Sequence, residues 1–304
     1  MSASTVHPQA RVVSAWRDQV GESPVWDVQE QALYWVDIEG RHIHRLDWAS
    51  GQQRTWNTPE RVGCIALAQQ GMVIAAMESG VFSVHLLAEP EVRVTRLATM
   101  AHAIPNMRCN DGRCDASGRF WISTMCMDMA QAAPVGAWYY LDERGLSAAQ
   151  CEGLVTPNGL AFSPEGTTLY FSDSHPSVQK VWAFDFDLAQ GRIGAGREFL
   201  DMTKMPGRPD GAAVDSQGCY WICGNDAGLV HRISPQGALL SSVPVPVAKP
   251  SMCAFGGPQL DTLLVTSICP AGVSAGLCGA VFAIDVGVQG RPEPRFSRFP
   301  SAGA

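Results

Sequence analysis

Apolar positions along the chain come in short runs of β-branched and aromatic residues, each bounded by polar, Gly-containing turns, a pattern of strands rather than helices. The runs recur behind one phrase. Glu22-Ser-Pro-Val-Trp-Asp27, Asn110-Asp-Gly-Arg-Cys-Asp115, Asn158-Gly-Leu-Ala-Phe-Ser163 and Asp210-Gly-Ala-Ala-Val-Asp215 each lead through a turn into a strand. Those strands are Ala32-Leu-Tyr-Trp-Val36, Arg119-Phe-Trp-Ile-Ser123, Leu169-Tyr-Phe-Ser172 and Cys219-Tyr-Trp-Ile-Cys223. Degenerate copies at Gly63-Cys-Ile-Ala-Leu-Ala68 and Ser251-Met-Cys-Ala-Phe-Gly256 complete six registers, at positions 22, 63, 110, 158, 210 and 251. A period in the forties to low fifties, made of short strands and turns, predicts an all-β, six-bladed β-propeller with four-stranded antiparallel blades around a central channel.

Third strands are expected at Gly136–Leu141, Lys180–Phe184, Leu229–Ile233 and Gly279–Ile284. The segment 10–16 has strand character and is expected to pair into the last blade, removing an exposed edge. Residues 1–304 then form one domain, and Asp128–Pro134 reads as a loop or at most one turn.

Composition narrows the function classes. With 30 Gly, 20 Pro and 17% charged residues in 304, the chain is neither disordered, collagen-like nor a coiled coil. A net charge of −7 makes nucleic acid and anionic membranes poor partners and favours a small molecule. Nowhere do eighteen apolar residues run together, and Met1–Val12 is polar without a cationic stretch. A soluble, cytoplasmic protein is expected, monomeric because no long exposed apolar pattern is present. The ten cysteines lack CxxC spacing and are expected to be thiols filling the core, with no redox pair or zinc knuckle among them.

In a propeller, one repeat position on successive blades is gathered about the axis. Here it carries Glu22, Gly63, Asn110, Asn158, Asp210 and Ser251, an oxygen-rich ring. Each Asn-Gly or Asp-Gly taken singly reads as a plain turn, but Glu22 is not a turn residue. Two carboxylates aimed into one channel repel unless protonated or bridged by a cation. Oxygen donors without Cys or His suit a hard divalent ion: Ca²⁺ first, Mg²⁺ or Mn²⁺ next, and Fe²⁺ or Zn²⁺ after them. Arg108 and Asn110 alternate onto one strand face near the channel mouth, although Arg108 equally fits a solvated surface position. Asp128 follows a strand end where a loop would cap the mouth.

Other motifs fail on context. Gly272-Val-Ser-Ala-Gly276 fits the GxSxG pattern, but no histidine follows His231, and a blade loop is expected there. Asp185-Phe-Asp187 begins like a calcium loop, but its glycine falls one place late, no acid holds the twelfth position, and the flanks read as strands. His42 and His44 read as a half-exposed pair on one strand face.

The phrases Gly21-Glu-Ser-Pro-Val-Trp26, Asn110-Asp-Gly-Arg113, Thr156-Pro-Asn-Gly159 and Arg208-Pro-Asp-Gly211 resemble the SMP-30/gluconolactonase/luciferin-regenerating-enzyme family, from about Val12 to Val286. The resemblance implies one catalytic divalent metal held by Glu22, Asn158 and Asp210, substrate contacts from Arg108 and Asn110, and lactone-ring hydrolysis. Asp128 stands where relatives can carry a glutamate that contacts the sugar; a shorter acid reaches less far. The resulting expectation is metal-dependent opening of an aldonolactone, such as glucono-, xylono-, arabinono- or galactonolactone, with Asp210 as general base. Two alternatives stand beside it: a non-catalytic calcium-binding propeller serving as a binding platform, and a broader esterase of a related propeller type.

Overall fold

The computed structural model describes residues 9–273 and 276–300. Every regular element among them is a strand, apart from two 3-10 turns at Met129–Gln131 and Met202–Lys204. The strands form six antiparallel sheets over residues 21–57, 62–99, 107–154, 157–201, 208–244 and 250–285, numbered here as blades one to six. First strands of neighbouring blades touch all the way round, which places them about the axis. Six registers in the sequence are therefore six blades. Arg11 and Val12 pair with Ala283 and Phe282 as the outermost strand of blade six, so the first and last strands of the described residues share one sheet.

Blade three departs from the four-strand pattern: Gly145–Leu146 and Cys151–Leu154 divide its outer position and both pair with Gly136–Asp142. The second strands explain why the sequence pattern was so apolar. Ala32–Asp37, Met72–Met77, Phe120–Cys126 and Tyr220–Asn225 are buried at every position. Each lies in a sheet covered on both faces by its neighbours, so continuous rather than alternating hydrophobicity results. The core lies between blades, for example Cys64, Cys109, Phe120 and Ile122 between blades two and three, and Trp121, Trp138, Leu160 and Phe171 between three and four.

The turn joining first and second strands repeats one polar device. Asp115 Oδ1 accepts from the backbone of Ser117 and Arg119, and its Oδ2 accepts from Trp121 Nε1 at 3.0 Å and Arg119 Nη1 at 2.7 Å. Asp215 does the same for Gln217, Cys219 and Trp221 Nε1, with Arg232 as its cation. A buried tryptophan and a buried carboxylate thus satisfy each other while fixing the hairpin. These turns lie at the end of the channel opposite residues 22, 110, 158 and 210.

That opposite end is closed by the C-terminal segment. Phe296 is buried and donates its backbone N–H to Leu67 O, Arg295 reaches Asp27 at 2.9 Å, Arg298 pairs with Glu143, and Glu293 pairs with Arg113. Between Pro24, Ile65, Gly112, Met252 and Pro294 a cavity of about 10 Å³ remains, room for roughly one water-sized sphere. The channel is blind on this side.

Two expectations are corrected. Cys269 and Cys278 are joined in a disulfide, with Cα atoms 4.6 Å apart, whereas all ten cysteines had been read as thiols. Sequence spacing of nine residues carries no pairing signal, and contact arises only because the loop between the second and third strands of blade six doubles back. Of the GxSxG residues in that loop, Ser274 and Ala275 lie outside the described residues, as do Met1–Pro8. His44 is buried rather than half-exposed: it sits between Asp18 and Thr55 and stacks on Trp16. Among the described residues no helix is long and apolar enough to cross a membrane.

Candidate active site

Each first strand breaks register at its ring position or immediately after it. The shifts fall between Glu22 and Val25, Val62 and Cys64, Cys109 and Gly112, Asn158 and Ala161, Pro209 and Ala212, and Pro250 and Cys253. Asn-Gly and Asp-Gly here are β-bulges inside a strand, not hairpin turns, and a bulge re-aims a side chain at the irregularity. Ser23 and Gly159 take φ of +49° and +66° to make the bend. Crowding at the axis accounts for the small residues: a Cβ on Gly63 would lie 2.3 Å from Cys109 O, and one on Gly211 would strike Met252.

Hydrogen bonds tie the bulged residues together across blades. Arg108 Nη1 donates to Asn110 Oδ1 at 2.6 Å and to Cys109 O at 2.8 Å. Asn110 Nδ2 donates to Asn158 Oδ1 at 3.2 Å and Pro157 O at 3.0 Å. Asn158 Nδ2 donates to Ser174 Oγ at 2.8 Å, and that hydroxyl donates to Pro209 O, one residue before Asp210. Asp210 Oδ2 accepts from Asn225 Nδ2 at 2.7 Å. Ser251 is drawn off the ring instead, bonding to Gly21 O and Thr266.

Electrostatics is unfavourable for the acids alone. Burial pushes Glu22 well above the usual carboxylate range, and repulsion from Asp210 and Asp111 pushes it further. Burial raises Asp210 to about 7, with Asp111 and Asp226 adding to the rise and Asn225 and Arg208 opposing it. Asp111 is raised by burial too, although its oxygens accept from Gly112 N at 2.7 Å and Leu160 N at 2.9 Å. Burial lowers Arg108, while Glu39 and Glu22 favour its charged form. Three buried acids converge, and the guanidinium groups of Arg108, Arg113 and Arg208 offset their burial only in part.

The residues singled out from sequence are not equally placed. Glu22, Arg108, Asn110, Asn158 and Asp210 are brought together. Asp128 is exposed and turned into its own loop, where it caps the 3-10 turn, accepting from Ala130 N at 3.2 Å and Gln131 Nε2 at 2.9 Å. From that loop it is Met129 that is anchored, by Thr156 Oγ1 on its sulfur and by His175 Nε2 at 3.2 Å from its carbonyl oxygen. Asp111, Ser174 and Asn225 were missed by sequence reasoning. Asn225 sits at the end of a second strand, opposite Arg208, so comparing second-strand ends across the repeats was the signal that could have found it.

The donors fit a hard divalent cation. They are the carboxylates of Glu22 and Asp210 and the amide oxygen of Asn158, all hard oxygens, and among the described residues no three His, Cys, Asp or Glu side chains form a metal cluster. The nearest thiols offer no soft alternative: burial holds Cys109 up at about 12 and raises Cys64 and Cys223 well above their ordinary value. Beside Asp210, the buried Asn225 Oδ1 has no hydrogen-bond partner, an acceptor that a donor entering the site would satisfy.

The model of the SMP-30/gluconolactonase/LRE-like region matches residues 20–269. A 6-deoxy-6-sulfogluconolactonase of Pseudomonas putida is 38% identical over 283 residues, 91% of this chain and 95% of the relative. A pentonolactonase of Haloferax volcanii is 32% identical, covering 91% and 94%. Among solved structures, the calcium-binding protein regucalcin of Agrobacterium tumefaciens superposes with a TM-score of 0.87 at 28% identity, covering 95% of this chain and 98% of that one.

Proposed function

The chain belongs to the SMP-30/gluconolactonase/LRE-like family, and on that footing we propose that it hydrolyses a sugar-acid lactone at one divalent cation held by Glu22, Asn158 and Asp210. Similarity to sugar lactonases over nearly the whole of both chains supports the reaction class. The observation that carries the site is the convergence, at the end of the channel away from the C-terminal closure, of two buried carboxylates and the Asn158 amide oxygen beside Arg108 and Asn110.

When bound, the cation supplies Lewis-acid polarisation of the lactone carbonyl and stabilises the oxyanion that forms. Ca²⁺ heads the order of expected ions because every donor is oxygen, with Mn²⁺ and Mg²⁺ behind it. Asp210 is the general base. Its Oδ2 is held by Asn225, and the carboxylate takes the proton as water oxygen bonds to the carbonyl carbon. The ring C–O bond then breaks, and the same proton passes to the departing ring oxygen, leaving the open hydroxy acid. Arg108, anchored through Nη1, has further donors in its planar fork to orient lactone oxygens, and Asn110 is fixed beside it. Water reaches the site only from the face where the first strands begin, because the C-terminal segment closes the other.

Acid release followed with a pH indicator tests this reading, using glucono-, xylono-, arabinono- and galactonolactone beside an aryl ester and a phosphotriester. Hydrolysis of at least one aldonolactone far above its spontaneous rate, with the aryl ester and phosphotriester slower, is the expected result. Spontaneous rates throughout, or an aryl ester turned over fastest, would contradict it.

A further inference from the structure

Resting on the metal reading above, we propose that Ser174 and Asn225 are positioning residues, which decide the atoms that Asn158 and Asp210 present to the cation. Both are buried, and both lie on blades four and five where second strands end, outside the ring register.

An asparagine amide has an oxygen and a nitrogen of nearly equal size, and only the oxygen can bind a cation. Its orientation here is dictated from both sides. Ser174 has a single hydroxyl hydrogen, and Pro209 O can only accept, so the hydroxyl is committed as donor there and must accept from Asn158 Nδ2. On the other side, the Arg108 guanidinium can only donate, so Asn110 must turn Oδ1 toward it and Nδ2 toward Asn158 Oδ1. The chain runs from an obligatory donor to an obligatory acceptor, and only one set of orientations satisfies it. The nitrogen of Asn158 then faces Ser174, and its oxygen is turned to the side of Asn110, where the cation would take it.

Asn225 acts on the other ligand. At the corresponding ends of second strands, blades one and four carry Asp37 and Asp173, whose carboxylates accept backbone N–H groups of Gln19 and Val20, and of Val155 and Thr156. In blade five the register of Asp37 and Asp173 is held by Gly224, opposite Pro209, and the next residue, opposite Arg208, is the amide Asn225, where blade four has Ser174 opposite Thr156. A carboxylate in place of Asn225 would stand against Asp210; the amide instead donates to Oδ2 and leaves Oδ1 for the site. Removing either brace frees a ligand to rotate away, and loss of such outer partners weakens metal binding by about 10–100-fold.

Calorimetric titration of the full-length, metal-stripped protein with Ca²⁺ and with Mn²⁺ tests this. Wild type is compared with Ser174→Ala, with Ser174→Thr, which keeps the hydroxyl, and with Asn225→Leu, which keeps the shape. Thermal unfolding of each metal-free form establishes that it is folded. The expected result is a Kd raised about 10–100-fold in Ser174→Ala and Asn225→Leu and restored toward wild type in Ser174→Thr. Wild-type Kd values in whichever of the Ala and Leu variants fold would overturn the proposal while leaving the metal reading intact. A wild-type protein that takes up neither ion would overturn both, and the wild-type titration distinguishes the two cases.

Discussion

Asp210→Asn is expected to lower lactonase kcat/KM by about 10²–10⁴-fold, the usual contribution of a positioned general base. The substitution keeps the size and planarity of the side chain and an oxygen able to accept from Asn225 Nδ2, so the fold should survive. What is lost is the proton acceptor and one negative charge. Those two losses separate experimentally: run at saturating divalent cation, the assay compensates weaker metal binding but not the missing base. A variant that stays slow at saturating cation supports the base assignment, and one with wild-type turnover rules it out. The solvent-facing Asp128, already committed to capping its own turn, is expected to matter far less.

Glu22→Gln is expected to act mainly on the cation. It removes one of two charged donors, and affinity for hard cations follows donor charge over several decades, so a Kd raised on the order of 10²-fold is anticipated. The metal-free protein should respond in the opposite sense. Glu22 is repelled by Asp210 and Asp111 in a buried setting, so neutralising it removes an unfavourable interaction. Urea unfolding of metal-free Glu22→Gln should therefore give a midpoint no lower than metal-free wild type, while added Ca²⁺ should raise the wild-type midpoint more than that of the variant. A variant that binds cation as tightly as wild type would remove Glu22 from the ligand set.

The architecture was legible because the same physical problem is solved in each blade. An aspartate that caps a hairpin and accepts from a buried tryptophan recurs at Asp115 and Asp215, and the apolar second strand behind it is covered on both faces. Repetition of that device is visible as repetition of letters. Blade three's divided outer strand was not visible, because outer strands are half-exposed and their apolar pattern is weak. The C-terminal closure was equally hidden: Arg291-Pro-Glu-Pro-Arg-Phe296 has no strand or helix period, and its ion pairs to Asp27 and Arg113 exist only once the ring has formed.

At the site, position in the repeat pointed to Glu22, Asn110, Asn158 and Asp210, since the ring register translates sequence distance into proximity. The backbone that aims them was misjudged. Asn-Gly and Asp-Gly favour turns in isolation, and only pairing with the second strand converts them into bulges. Ser174 and Asn225 escaped for a different reason: they approach the centre from the second strands, at a register the ring argument never sampled. Asp111 escaped because it lies one residue past a ring position, and its burial beneath Leu160 N follows from the bulge itself.

The most direct test is anomalous diffraction from crystals of the protein loaded with Mn²⁺. One strong peak is predicted in the channel, within roughly 2.6 Å of an oxygen of each of Glu22, Asn158 and Asp210. On Asp210 the coordinating atom should be Oδ1, because Oδ2 is held by Asn225. A peak held by other residues, or lactonase activity in a protein with no cation at that position, would contradict the account.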